Sequence, residues 1–284
     1  MKKVLITGSS GILGTELSIR LNELFDVLAL PKSSSKNFLD ITDFNMMYSI
    51  FKNFDPDFVI NCAAFTNVDS CELNKQIARN VNVKGLMNLL KCMSKNSKMI
   101  HISTDYVFNG KDGNYKENDM KEPINYYGKT KLEADNLLMG SNSNYLIIRP
   151  NVLYSSNLSK NNHFLSWVVN SLKDKTEINV VNDQISNPVY VSDLVEVILS
   201  SLLVEYNGVY HFGSEDVISR YDFALLISKI FKLDENLINP IKTSDLKQIA
   251  KRPKKSFLNC NKIISDLNID LYPTEYSLMR IYNS

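Results

Sequence analysis

Apolar residues along this chain fall into two alternating patterns. Short continuous runs occur at Val4-Leu5-Ile6-Thr7, Asp26-Val27-Leu28-Ala29-Leu30, Asp57-Phe58-Val59-Ile60-Asn61-Cys62-Ala63-Ala64, around His101-Ile102, and at Tyr145-Leu146-Ile147-Ile148-Arg149-Pro150. Between them apolar positions follow a helical stripe: Leu13, Leu17, Leu21 and Leu24, then the stretch from about Phe44 to Phe54, then Ile77, Val81, Leu86, Leu89, Leu90 and Met93. Continuous runs are what strands buried on both faces require, and their regular alternation with helices predicts an α/β fold with a doubly wound parallel sheet. Asn82 lies inside the third stripe, where an Asn is expected to face solvent or bond its own helix.

The alternation stops at Pro150. A polar run at 155–162 follows, then a helical stretch from Phe164 to Leu172, the run Ile178-Asn179-Val180-Val181-Asn182-Asp183-Gln184, a helix start at Val191 and a strand-like Gly208-Val209-Tyr210-His211-Phe212-Gly213. The expected layout is a first, Rossmann-type domain over 1–150, joined by 186–206, and a smaller α/β part made of 151–185 and 207–284. No internal repeat or long linker separates them.

Composition narrows the partners. With 284 residues, 44% hydrophobic and 22% charged, the chain can bury a large core. Lys and Arg total 32 against 31 acids, a net charge of +1, so neither nucleic acid nor a membrane is an expected partner, while small anionic ligands stay open. Cys62, Cys71, Cys92 and Cys260 form no C-x-x-C pair and His101, His163 and His211 are scattered, so no metal site is expected. The cysteines read as small core residues in a reducing compartment. Met1-Lys2-Lys3 runs straight into a strand without an apolar leader, and no run of about 18 apolar residues follows, which predicts a cytoplasmic protein.

The candidate chemistry begins at Gly8-Ser9-Ser10-Gly11-Ile12-Leu13-Gly14, between the first strand and the first helix. Glycines let the backbone turn sharply and approach a pyrophosphate, and the helix start offers free N–H groups. A tight turn without a ligand is the alternative. After the second strand no acid is placed for a ribose 2′-hydroxyl. Pro31-Lys32-Ser33-Ser34-Ser35-Lys36 instead offers a cation and hydroxyls to a 2′-phosphate, or is simply a solvated loop. The small residues Cys62, Ala63 and Ala64 at a strand end would let a cofactor lie against the backbone.

Tyr127 and Lys131 stand one helical turn apart and share a face. A nearby ammonium is expected to lower the phenol pKa from about 10 and equip Tyr127 for proton transfer to a carbonyl oxygen. Upstream, His101-Ile102-Ser103-Thr104-Asp105-Tyr106-Val107-Phe108 changes from apolar to hydroxyl and carboxylate residues, as at the carboxyl end of a parallel strand, and Thr104 could hold the same carbonyl. Arg252-Pro253-Lys254-Lys255-Ser256 is a basic cluster suited to a diphosphate, or a solvated charge run. Ser219-Arg220-Tyr221-Asp222 has the form of a capping box and is read as structural.

On these residues the chain resembles the extended short-chain dehydrogenase/reductases and, within them, the dTDP-4-dehydrorhamnose reductase family. The likeness covers nearly the whole length. It is carried by the glycine stretch Gly8 to Gly14, by Asn61 to Ala64, by Ser103 to Phe108 with Gly110, by Tyr127 to Glu133, by Asp183-Gln184 with Pro188, and by Arg252-Pro253 with Ser256. It implies reduction of a nucleotide-diphosphate-linked 4-keto-6-deoxysugar by NADPH, with NADH as the other candidate, and pairing as a homodimer. By the same resemblance Thr104, Tyr127 and Lys131 are catalytic. Gly8, Ser10, Gly11, Ile12, Leu13, Gly14, Lys32, Asp40, Ile41, Cys62, Ala63 and Ala64, with Tyr127 and Lys131, bind the cofactor. Thr104, Asp105, Tyr106, Asn151 and Arg252 bind the substrate.

Related dehydratases carry Asp-Glu after the Thr, and Asp105-Tyr106 lacks that second acid. The family's Arg-Thr-Ser-Trp-Val-Tyr-Gly string is Arg149-Pro150-Asn151-Val152-Leu153-Tyr154-Ser155 here, with Ser186 and Val189 where Gly and Thr are expected, so the departures fall where the sugar should sit. Two alternatives share the resemblance: a nucleotide-sugar epimerase, and a non-catalytic cofactor-binding subunit similar to the regulatory subunit of methionine adenosyltransferase.

Overall fold

The apolar runs form one six-stranded parallel sheet in a computed structural model that describes residues 1–33, 38–159, 163–204 and 206–284. Its strands are β1 (Lys3–Thr7), β2 (Asp26–Leu30), β3 (Phe58–Asn61), β4 (Lys98–Ile102), β5 (Asn144–Pro150) and β6 (Gly208–Phe212), in the spatial order β6-β5-β4-β3-β1-β2. Val4, Leu5 and Ile6 are all fully buried. Successive side chains leave a strand on opposite faces. Val4 and Ile6 therefore join Leu13, Leu17 and Leu21 in one core, while Leu5 joins Leu86 and Leu89 in the other.

The sheet corrects one sequence boundary. Gly208–Phe212, assigned from sequence to the second part, pairs in parallel with β5 and buries Tyr210, His211 and Phe212. The helix Val191–Leu203 before it packs Val191, Leu194 and Ile198 into the same core as the Ile12–Leu21 helix. The remaining C-terminal segments build their own core from helices Phe164–Lys173, Arg220–Phe231 and Thr274–Tyr282, through Leu165, Val168, Phe223, Ile227, Leu278 and Ile281. No helix among the described residues is long and apolar enough to cross a membrane.

The stripe read as one long helix is broken into Lys75–Arg79, a π-helical turn at Asn80–Lys84, and Gly85–Cys92. Asn82, expected at the surface or on its own helix, is instead buried. Its Oδ1 accepts from the Phe65 N–H at 2.7 Å, and its Nδ2 donates to Thr130 Oγ1 at 2.9 Å. Inserting a residue into the helical ladder turns one side chain out of register, and here that side chain pins the loop after β3 to the Tyr126–Met139 helix.

That helix is tied to β5 by a fully buried ion pair, Arg149 Nε to Asp135 Oδ2 at 2.9 Å. Removing one partner of such a pair leaves an uncompensated charge in the core, which costs far more than the pair itself contributes. Arg149→Met should therefore destabilise the protein by about 3–5 kcal/mol in urea unfolding. An unchanged midpoint would show that the Arg149–Asp135 pair does not hold this helix on β5.

Candidate active site

The order of the sheet reverses between β1 and β3, and in open parallel sheets ligands bind at the carboxyl ends beside such a reversal. Gly8 follows β1 with φ at +67°, and a Cβ there would stand 2.7 Å from the Ala63 nitrogen. Gly14 is equally constrained, since its Cβ would lie 2.4 Å from the Gly8 carbonyl oxygen. Gly11 starts the Ile12–Leu21 helix without any side-chain cap. Backbone N–H groups at that helix end are thus left for a ligand.

A cavity of about 500 Å³ opens here. Gly8, Gly11, Ile12, Leu13 and Gly14 line one wall, and Cys62, Ala64, Thr104, Asp105, Tyr106, Tyr127, Lys131 and Asn151 line the rest, so most residues singled out from sequence meet at one place. Ser10 is exposed at the turn beside it, and Ala63 lies behind the wall, its N–H donating to Thr7 Oγ1 at 3.3 Å.

Lys32, Asp40 and Ile41 are not part of this wall. Burial raises the Asp40 carboxyl, but the Thr42 N–H and hydroxyl, with the Lys32 charge, bring it below its usual value. Ile41 is buried against Gly85, where a Cβ would meet it at 2.4 Å, so only its backbone is available to a ligand. Ser34, Ser35 and Lys36 lie outside the described residues. Arg252 lines a neighbouring cavity of about 530 Å³. Within its cluster Arg252 Nη1 meets Asp69 Oδ1 at 2.9 Å and the exposed Lys254 meets Asp183 at 2.9 Å, while Lys255 faces solvent.

Thr104 leaves the end of β4 with its Oγ1 donating to Asp105 Oδ1 at 2.9 Å and accepting from the Tyr106 N–H at 3.2 Å. The Tyr106 ring meets Tyr127 edge-on, with centroids 6.0 Å apart. Asn151 is buried and its Nδ2 donates to the Ser256 carbonyl at 2.9 Å. Lys131 turns away beneath the strand, its Nζ donating to the Ile102 carbonyl at 2.6 Å and lying 3.4 Å from His101 Nε2. Burial pulls the Lys131 ammonium down to about 8, against the opposing charge of Asp135.

The expected lowering of the Tyr127 phenol does not follow from this geometry. Burial raises it above its ordinary value, and only the Thr104 hydroxyl pulls the other way. With its ammonium on the β4 carbonyl, Lys131 does not offset the cost of a buried phenolate. Tyr127 therefore stays protonated at neutral pH, the form that can give a proton to an alkoxide.

Arg220, His163 and Phe164 line the same cavity and were missed from sequence as site residues. The cap at Ser219 is as expected, with its Oγ accepting from the Asp222 N–H at 3.0 Å. Arg220, the next residue, projects into the cavity with its guanidinium 5.0 Å from the Phe164 ring centre. An Arg in the first helical turn, where the dipole disfavours a cation, is the signal that could have flagged it.

Asp105 supplies a pH test. Burial raises its carboxyl from 3.8 to about 6, opposed by hydrogen bonds from Ser256 and Thr104 and by the Arg220 charge. The folded state thus holds this proton more tightly than the unfolded chain, a contribution complete below about pH 4 and lost as pH rises through 6. Between those limits, Asp105→Asn should gain roughly 1–3 kcal/mol of unfolding free energy relative to wild type. Parallel pH profiles of the two proteins would contradict this.

A parallel sheet with a glycine-lined helix start at its reversal point, and a Thr, Tyr and Lys gathered at the end of β4, defines a short-chain dehydrogenase/reductase. The chain belongs to the family described as the RmlD substrate binding domain, whose model matches residues 1–284. It is 38% identical to a dTDP-4-dehydrorhamnose reductase of Aggregatibacter actinomycetemcomitans, over 93% of this chain and 92% of that protein. A spore coat polysaccharide biosynthesis protein of Bacillus subtilis is 33% identical over 91% and 89% of the two chains. The crystal structure of a dTDP-4-dehydrorhamnose reductase from Bacillus anthracis in complex with NADP matches with a TM-score of 0.93 at 31% identity, covering 100% and 99% of the two chains.

Proposed function

We propose that this protein uses NADPH to reduce the keto group of a nucleotide-linked 4-keto-6-deoxysugar, the reaction named for its dTDP-4-dehydrorhamnose reductase relatives. The observation that carries this reading is the convergence of an uncapped, glycine-lined helix start with Thr104, Tyr127 and Lys131 in one cavity. The site fits a dinucleotide, because Gly8 and Gly14 allow a turn so tight that a Cβ at either would strike backbone, and its far wall is the small pair Cys62 and Ala64.

In this reading Gly11, Ile12, Leu13 and Gly14 hold the cofactor diphosphate and Lys32 faces its 2′-phosphate. The bound nicotinamide supplies the hydride that the keto carbon accepts. Tyr127 gives its proton to the developing alkoxide, and the Thr104 hydroxyl turns from Asp105 to the same oxygen. Lys131 holds the nicotinamide ribose. Asp105, Tyr106 and Asn151 border the sugar. Tyr106 supplies no second carboxyl acid for water elimination, and the presence of all three catalytic groups weighs against a purely regulatory subunit. NADPH and a diffusible nucleotide sugar are cytoplasmic metabolites, which is where we take the enzyme to act.

Wild type given dTDP-4-dehydrorhamnose should consume NADPH, followed by loss of its near-ultraviolet absorbance. Tyr127→Phe should lower kcat by roughly 10²–10⁴ while leaving NADPH affinity near wild type. Full activity in Tyr127→Phe would remove Tyr127 from the mechanism, and sugar isomerisation without net NADPH consumption would make the protein an epimerase instead.

A further inference from the structure

The catalytic cavity and its neighbour meet along a seam formed by Tyr106, Val152, His163, Phe164 and Arg220. Beyond the seam the second cavity runs outward past Trp167, Gln184 and Gln248 to Arg252. Two cations of that region are already committed: Arg252 to Asp69 and the Ala250 carbonyl, at 2.9 and 2.6 Å, and Lys254 to Asp183. Arg220 is not. Its backbone N–H is anchored on the Gln184 carbonyl at 2.9 Å. Its guanidinium lies over Phe164 and, among the described residues, makes no hydrogen bond or ion pair.

A guanidinium carries five donors in a rigid fork, and Arg220, half-buried on the seam, leaves them unmatched. Such a fork fits two oxygens of one phosphate. The start of the 12-residue Arg220–Phe231 helix adds positive potential on the same side. Val152 stands on the seam where the resembled family carries Trp, so a small side chain leaves the guanidinium open toward the catalytic cavity.

We propose that Arg220 grips the sugar-proximal phosphate of the nucleotide diphosphate where it crosses from one cavity to the other. This rests on the nucleotide-sugar reading above. With the reacting carbonyl beside Tyr127 and Thr104, and the base in the outer cavity against Trp167, Gln184 and Gln248, the diphosphate is the part that must pass the seam. Arg220 then sets how deeply the sugar reaches toward Tyr127, a specificity-determining contact separate from the proton chemistry.

The test is calorimetric binding of dTDP and dTMP to the NADPH-loaded full-length protein, with UDP/UMP and GDP/GMP pairs alongside. Wild type should prefer the diphosphate over the monophosphate by roughly tenfold to a hundredfold. Arg220→Gln should lose that preference while keeping its monophosphate and NADPH affinities, and Arg220→Lys should keep part of it. A diphosphate preference that survives in Arg220→Gln overturns the proposal, as does its absence from wild type with all three nucleotides. Should Arg220→Gln fail to bind NADPH, the Lys variant decides: a preference equal to wild type overturns the assignment, and a several-fold loss supports it. An Arg220-dependent preference in a protein that does not turn over dTDP-4-dehydrorhamnose supports the phosphate contact and overturns only the sugar assignment.

Discussion

Burial of the Lys131 ammonium is the constraint from which the site is built. A single charge taken out of water costs several kcal/mol even after relaxation, so it persists only where opposite charge and acceptors surround it. Here the Ile102 carbonyl accepts from it at 2.6 Å, Asp135 supplies the opposing charge, and Arg149 neutralises Asp135 in turn. That sequence of partners locks the Tyr126–Met139 helix to β4 and β5 together. Tyr127 lies one turn before Lys131 on the same helix, so its distance from Thr104 at the end of β4 is fixed by the same contacts. Asn82, on its π turn, adds a third tether through Thr130.

A second buried line connects the cofactor turn to this lysine. Thr7 Oγ1 donates to Asn61 Oδ1 at 2.7 Å, which leaves the Asn61 amide facing His101 Nδ1 at 3.2 Å. The other ring nitrogen, Nε2, lies 3.4 Å from Lys131 Nζ and 4.0 Å from Asp135 Oδ1. Burial and the Lys131 charge keep His101 uncharged. The carboxyl ends of β1, β3 and β4 are therefore joined by side chains as well as by backbone, directly under the place where Gly8 turns.

What the sequence revealed and what it hid divide along physical lines. Continuous apolar runs and the spacing of Gly8, Gly11 and Gly14 are local signals of a buried strand and a turn, and they located the sheet and the cleft. The Tyr127–Lys131 spacing located the helix face but not the direction of the lysine, because Nζ goes where Ile102 and Asp135 are, and those lie elsewhere in the chain. The π turn stayed hidden since a single added residue hardly disturbs a 3.6-residue stripe. Arg220 was masked by a correct local explanation: the cap accounts for Ser219 and Asp222, and what gives the intervening arginine its setting is Phe164 and Tyr106, brought in by the fold.

The charge balance around Asp105 links these groups. Asp105 is held near the edge of ionisation by burial, with Arg220 among the groups that keep its proton off. On the phosphate assignment, a ligand that occupies Arg220 cancels that help, and the Asp105 carboxyl moves further toward its neutral form. A neutral Asp105 is a weaker acceptor for the Thr104 hydroxyl that now donates to it at 2.9 Å. Thr104 is then freer to turn toward the substrate carbonyl. Binding of the diphosphate would in this way prepare the hydroxyl that positions the reacting oxygen, through two side chains on the cavity wall and without any movement of the backbone.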